Sequence, residues 1–545
     1  MNRSRSALGR ATPLIAARLV SATISLSVPL VLARTMAIEN YGTYKQLLLV
    51  FMSVAAVIPL GLPQSLYFFI PRTDERRAYL TQTLALLALA GAAGGLGVWL
   101  AGPVIARGLS NPGLLPYLPQ LAAFIAFHVA ATPLEVTMTA RGNTRAAAAI
   151  YFVSDAVKAA VLVVPSLTGH GLHGMMAGMV ALSAARLAAA WTVAGVMERG
   201  PMLAWGLVRG QLAYSLPFGA AVLFSIPQQY AHQFIVANAV GPAIFAIYAV
   251  GCFELPFVDL FYSPTCEVLM VHLGELDREG RRDRSAEAFR DAVERLAILL
   301  LPPSLFIWAV APTFIETVFG ARFADSVPIF RIALLVIPLA IWPLDATLRA
   351  YGETQHILTS YVVKAVVTIP LAWLGVHQFG LTGAVGSYVL AELFGRAFLA
   401  SRVPRTLSTP GHRVALRELV PARWLAGVVA SSVALSVLGV AALEGARALH
   451  VHLKGGHGLF TRAVPLTVAS AVFGAGYLAL LLWSSRRVPI PALARFGRPG
   501  AVGGDGAADA GTVTSGDVGG RRPNGGALPP PGTLLPPSLS RATRT

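Results

Sequence analysis

Residues 140–151 read ARGNTRAAAAIY, and residues 350–361 read AYGETQHILTSY. Both carry the frame A-x-G-x-T with a tyrosine seven residues after the threonine, displaced by 210 positions. Other echoes share nearly that displacement. HGLHG (170–174) matches FGLTG (379–383) at 209, and YGTY (41–44) matches FAIY (245–248) at 204. A weaker echo pairs Ser27-Val-Pro29 with Ser225-Ile-Pro227 at 198. A single pair of Gly-Thr turns needs no explanation, but several echoes at one spacing indicate an internal duplication. The repeated glycines allow a tight turn in the same place twice.

The duplicated unit belongs in a membrane. Of 545 residues, 55% are hydrophobic and 13% charged, with a mean hydropathy of +0.64. A soluble domain carries about 25% charged residues, so much of this apolar surface has to face lipid. Runs of about 18 or more mostly apolar residues follow one another. They predict spans at 11–34, 47–70, 80–101, 117–140, 146–167, 172–197, 212–236, 243–271, 293–311, 328–348, 357–377, 381–401, 424–443 and 463–484. The chain therefore reads as an all-α polytopic membrane protein with about fourteen transmembrane helices.

The echoes divide it. Residues 1–10 are an N-terminal segment, 11–200 a six-helix lobe, 201–405 a second six-helix lobe, and 406–485 two additional helices. Because six is even, both lobes enter the membrane in the same direction. Such parallel repeats are related by an axis along the membrane normal and hold substrate between them near the midplane. Residues 486–545, rich in Gly, Pro, Ala and Arg, read as a disordered tail.

The formal charge of +17 is explained by topology. With the N-terminus in the cytoplasm, cytoplasmic connections hold Arg72, Arg76 and Arg77, Arg141 and Arg145, Arg199 and Arg209, six arginines between 278 and 295, Arg349, and five arginines between 402 and 423. External connections hold far fewer, among them Arg34, Lys45, Arg107 and Arg322. This is the positive-inside pattern, and it puts both termini in the cytoplasm. No nucleic-acid partner is called for. The segment 276–296 reads as a charged helix with Phe289, Val293 and Leu296 on one face, lying on anionic lipid or serving as a solvated connector. Cys252 and Cys266 fall in one expected span, about 21 Å apart at 1.5 Å per residue, too far for a disulfide.

Several chemistries are absent. The lysines are Lys45, Lys158, Lys364 and Lys454, and none follows a glycine, so the chain has no phosphate-binding loop of the G-x-x-x-x-G-K-[ST] kind. The external connections are short, whereas a membrane glycan polymerase or ligase usually needs a sizeable external domain. His450, His452 and His457 lie close together, but no fourth ligand accompanies them, so a wet loop is the simpler reading than a metal centre.

Ionisable residues within spans carry the functional signal. Each costs about 2.5–3.5 kcal/mol or more at the bilayer centre, so it should face a polar cavity or a partner. Arg18 lies in span 1, Asp155 and Lys158 at i,i+3 in span 5, and Lys364 in the matching span 11. Arg186 and Arg396 are displaced by 210 in spans 6 and 12. Glu254, Asp259 and Glu267 lie in span 8, Glu135 in span 4, Asp345 in span 10 and Glu392 in span 12. Internal pairing or snorkelling at span ends accounts for the blander half, with Glu135, Glu267 and Arg396 foremost. Arg18, Lys158, Arg186 and Lys364 are the substrate-binding candidates; Asp155, Glu254 and Asp259 are the ion-coupling candidates.

The start of each lobe resembles a known family. Ala33-Arg34 followed by Glu39-Asn40-Tyr41-Gly42-Thr43-Tyr44 is similar to the span 1–2 segment of Wzx-type polysaccharide exporters of the MOP superfamily. Tyr214-Ser-Leu-Pro217-Phe-Gly219, then Gly241-Pro242-Ala243 and Phe245-Ala-Ile-Tyr248, resembles the start of their second lobe. The resemblance covers about residues 10–485. It implies a V-shaped two-lobed transporter with a cationic central cavity, in which Arg18 touches the pyrophosphate of a polyprenyl-linked oligosaccharide. It implies no cofactor, with coupling to a proton or sodium gradient or to the membrane potential. Its implied partners are the glycan lipid, membrane lipids, and a polysaccharide polymerase with chain-length machinery, at the cell inner membrane. The alternatives are an ion-coupled small-molecule antiporter, with a narrower and more acidic cavity, and a glycan polymerase or ligase.

Overall fold

The computed structural model describes residue 24 and residues 27–141, 144–197, 200–202, 204–409, 413–452 and 459–484. Helices make up nearly all of these. In lipid every backbone N–H and C=O needs an internal partner, and an apolar helix supplies one for each. The first half contains α1 (Ile38–Val57), α2 (Leu62–Phe69), α3 (Arg76–Leu100), α4 (Leu118–Ala131), α5 (Pro133–Ala140), α6 (Thr144–Leu167) and α7 (Gly171–Thr192). The second half contains α8 (Trp205–Ala239), α9 (Pro242–Gly251), α10 (Phe257–Arg278), α11 (Ser285–Ala309), α12 (Ala311–Val318), α13 (Ser326–Ala333), α14 (Leu344–Ala350) and α15 (Thr354–Leu407). Two more helices follow, α16 (Ala422–His452) and α17 (Leu459–Ser484).

Among the described residues, nine helical stretches are long and apolar enough to cross a membrane, and the bent pair α1 and α2 would make ten. The difference from fourteen has identifiable origins. Most of span 1 lies outside the described residues, and spans 11 and 12 run together in the 54 residues of α15. Span 7 lies within α8, which is not among the nine.

Span 8 is a correction. The expected continuous helix over 243–271 is broken at residues 252–256, between α9 and α10. Pro256 disfavours helical backbone at Leu255, and Glu254 favours a polar setting over lipid. Cys252 therefore caps α9 while Cys266 lies on α10, on separate helices rather than one. The segment 276–296 is a second correction. It is the cytoplasm-assigned hairpin of α10 and α11, and Phe289, Val293 and Leu296 are buried in the protein core rather than laid on lipid or water.

α3 and α7 pack on α4, and α6 packs on α7. In the second half α8 lies along α15, α9 on α13, and α10 on α11 and α14. α16 and α17 pack together, with α16 against α11. The two halves meet where α1 packs on α9. There Tyr41, Phe245, Tyr248, Phe319, Phe323 and Phe330 are fully buried in one cluster. Lipid tails are as apolar as leucine, so close packing has to drive this contact. Gly42 meets that requirement, since a β-carbon there would run into the Pro242 backbone.

The echoed glycines take unusual backbone conformations. Gly171 has φ +55° and Gly380 φ +60°, at matching points of HGLHG and FGLTG, and Gly352 has φ +74° in AYGET. Its partner Gly142 lies outside the described residues. At Gly380, φ +60° with ψ −140° separates the two helical stretches of α15. A side chain there is strained, at about 1–3 kcal/mol. Gly380→Ala should thus lower the thermal unfolding midpoint of the detergent-solubilised protein, whereas Gly386→Ala, with open space at its β-carbon, should leave it unchanged. Equal midpoints would contradict a requirement for glycine.

Candidate functional site

Pro133 starts α5 after a break in the α4 line, which places Glu135 in its first turn, where the helix dipole favours a carboxylate. Glu135 is buried and ion-paired with Arg186 on α7. The pair borders a cavity of about 240 Å³ lined by α1, α4, α5, α6 and α7. Asp155 and Lys158, one turn apart on α6, line the same cavity. His128 also lines it, its ring edge-on to Phe51 at 5.0 Å and tilted against Phe124 at 5.3 Å. The described lining thus carries two carboxylates and two basic side chains among apolar walls.

A second cavity, of about 460 Å³, lies in the other half. The broken segment 252–256 forms one wall, with Glu254 facing in, and α8, α10, α15 and the stretch 333–340 form the others. Non-helical backbone at membrane depth is tolerated where it lines such a space. Asp259 of α10 lines it and accepts a hydrogen bond from Ser263 Oγ at 2.6 Å. Arg396 of α15 lines it as well. Buried His232 is held by Tyr248 Oη at 2.6 Å and stacks on the Tyr388 ring at 4.7 Å. Behind this wall Glu392 accepts from Lys364 Nζ at 2.7 Å and lies 3.8 Å from Arg396 Nε.

At one end of the molecule the halves are tied by hydrogen bonds. Arg34 Nε donates to Val318 O at 2.9 Å, and Arg34 Nη2 donates to Thr317 O. Arg322 Nη2 donates in return to Ala33 O. Asn238 Nδ2 donates to Gly108 O at 2.9 Å, and the Tyr41 and Phe323 rings meet edge-on at 5.7 Å.

Residues 31–328 match a family described as polysaccharide biosynthesis protein. The chain belongs to that family. Over 413 residues it is 22% identical to the succinoglycan biosynthesis transport protein ExoT of Rhizobium meliloti (strain 1021), covering 73% of this chain and 81% of that protein. The fold is similar to that of the lipid II flippase MurJ in an inward closed conformation, with a TM-score of 0.65 and 12% identity over 87% of this chain and 99% of that one. It is also similar to an inward-facing multidrug resistance MATE transporter of the MOP superfamily, with a TM-score of 0.56 and 16% identity over 72% and 94% of the two chains. The protein is therefore a multi-pass membrane protein of polysaccharide biosynthesis with the MOP superfamily fold, in agreement with the resemblance to Wzx-type exporters.

The family frame orders the site residues. Lys158, Arg186 and Asp155 share the first cavity, and Glu254 and Asp259 share the second. Lys364 lines neither; it is bound to Glu392 and packed against Gly395. Arg18 and His457 lie outside the described residues, and His450 and His452 close α16. Two residues set aside as bland border the cavities, Glu135 as the partner of Arg186 and Arg396 as a wall of the second. Arg396 was legible from its displacement of 210 from Arg186, and Glu135 carried the same mark, since the carboxylate Asp345 lies 210 positions after it. The implied cationic excess is absent from the described linings. The first cavity is balanced, and the second sets Glu254 and Asp259 against Arg396.

The placement of Asp155 and Lys158 gives a test. Removing one member of a charge pair in an apolar setting costs more than removing both. Asp155→Asn should reduce export more than the double change Asp155→Asn with Lys158→Gln, read as surface polysaccharide at equal membrane levels. Additive losses would mean that the two do not act as a pair.

Proposed function

We propose that this protein translocates a polyprenyl-pyrophosphate-linked oligosaccharide across the cytoplasmic membrane, for assembly of O-antigen, capsule or exopolysaccharide. The observation that carries this reading is the first cavity, where Lys158 and Arg186 present cations among membrane helices. Arginine engages phosphate oxygens with two donors at once, and lysine adds a compact point charge. The polyprenyl tail can stay in lipid while the pyrophosphate passes along the polar path. Outward movement of each negative charge gains about 2.3 kcal/mol per 100 mV of inside-negative potential. Family membership and the similarity to a succinoglycan biosynthesis transport protein support the reading.

The second cavity, with Glu254 and Asp259 against one arginine, suits a coupling cation, either proton or sodium. On this reading the sugar passes on to a polymerase and chain-length machinery. The test is a deletion strain. Lipid-linked glycan should accumulate on the cytoplasmic leaflet, and the wild-type gene should restore its external exposure. A strain that loses drug efflux while keeping normal polysaccharide would instead establish a small-molecule antiporter.

A further inference from the structure

In each half a cation at the same repeat position is neutralised by a carboxylate, but that carboxylate comes from a different place. Arg186 is held by Glu135, 51 positions away on α5. Arg396, displaced by 210, has Glu392 on its own helix at i−4, and Glu392 also holds Lys364. Position 345, which repeats position 135, is aspartate, yet Arg396 is ion-paired with Glu392. The arginine position is therefore common to both halves while its counter-ion differs. That pattern fits a cation wanted for itself, with a carboxylate supplied to hold it while no ligand is present.

The first half shows how loosely it is held. A guanidinium has five donors; among the described residues Arg186 donates through Nη2 to Glu135 Oε1, while its buried Nε has no partner. Lys158, Asp155 and His128 face the same cavity from α6 and α4. An incoming diphosphate would find two cations and would have to displace Glu135 from one of them.

We propose that Glu135 is an exchangeable counter-ion: it occupies Arg186 in the empty carrier, is displaced by the substrate pyrophosphate, and retakes the guanidinium to expel the product. This inference rests on the substrate reading above and makes Glu135 a positioning residue for release. It predicts a split between affinity and turnover. Glu135→Gln keeps the volume and an acceptor for the guanidinium but removes the competing charge. Pyrophosphate should then bind about tenfold more tightly, while transport slows because the product leaves slowly. A merely structural partner would, on loss, weaken binding or lower folded yield, and would not tighten binding.

The test uses the full-length protein in detergent with farnesyl pyrophosphate as the binding probe, alongside glycan export in cells. The expected order of affinity is wild type, then Glu135→Asp, whose shortened side chain competes less well, then Glu135→Gln. Export should fall in the same order. Arg186→Ala in the Glu135→Gln background should abolish the gain. If wild type and Glu135→Gln bind the probe equally, the counter-ion role is overturned while the substrate reading stands. If wild type does not bind it at all, the substrate reading falls and this inference with it. Poor folding of Glu135→Gln leaves Glu135→Asp to decide, since any loss of affinity there overturns the proposal.

Discussion

Gly42→Ala should reduce polysaccharide export about fivefold or more at an unchanged membrane level. A β-carbon at Gly42 would lie 1.8 Å from the Pro242 carbonyl oxygen and 2.5 Å from its carbon, and neither is the tip of a flexible side chain. Helices α1 and α9 would have to separate, and overpacking of this kind costs about 1–3 kcal/mol. On the topology assigned by the arginines, this contact closes the external end between the halves. A carrier that has to return to that joined arrangement in every cycle loses a factor of about 5–150 in its population for such a cost. Gly97→Ala is the control, because a β-carbon there meets nothing within 4 Å. Normal surface polysaccharide from Gly42→Ala would show that the close approach is not needed for transport.

The paired arginines at the same end should act together. Arg34 donates to carbonyls in the last turn of α12, where a helix leaves its acceptors unsatisfied and its dipole is negative. Arg322 does the same for Ala33, near the end of the helical segment 27–35. Each half thus caps a helix of the other. Hydrogen bonds from a charged donor contribute about 1.5–3 kcal/mol, and exposure at Arg34 reduces this toward the lower end.

Arg34→Gln or Arg322→Gln should therefore raise the open fraction about tenfold, and the double change should raise it further. Ala246, fully buried on α9, gives a reporter. In a background with Cys252 and Cys266 replaced by alanine, Ala246→Cys should react with an external, membrane-impermeant maleimide about tenfold faster in each single variant. The same labelling rate in all four proteins would mean that the arginines do not hold this end closed.

Membrane residence and the positions of most helices were legible in the chain, because transfer into lipid is a local, additive property of successive side chains. The duplication was legible for a related reason. A turn that requires glycine marks the sequence directly, as Gly171 and Gly380 do with their positive φ. Asp155 and Lys158 were assigned to a cavity on the cost of an ionisable group in an apolar helix, and they line one.

Tertiary structure alone decided the partners. Glu135 and Arg186 lie 51 positions apart, Lys364 and Glu392 lie 28 apart, and Arg34 reaches Val318 across 284. Nothing in the hydrophobic period of either member announces such a pairing. The break at 252–256 was half legible, since Glu254 and Pro256 disfavour a continuous span, but an apolar run over 243–251 concealed it. Which face of a membrane helix meets which neighbour depends on shape, on where a Gly42 admits a Pro242. Hydropathy along the chain records only that each helix belongs in lipid, and the contacts among helices set the charges that meet inside it.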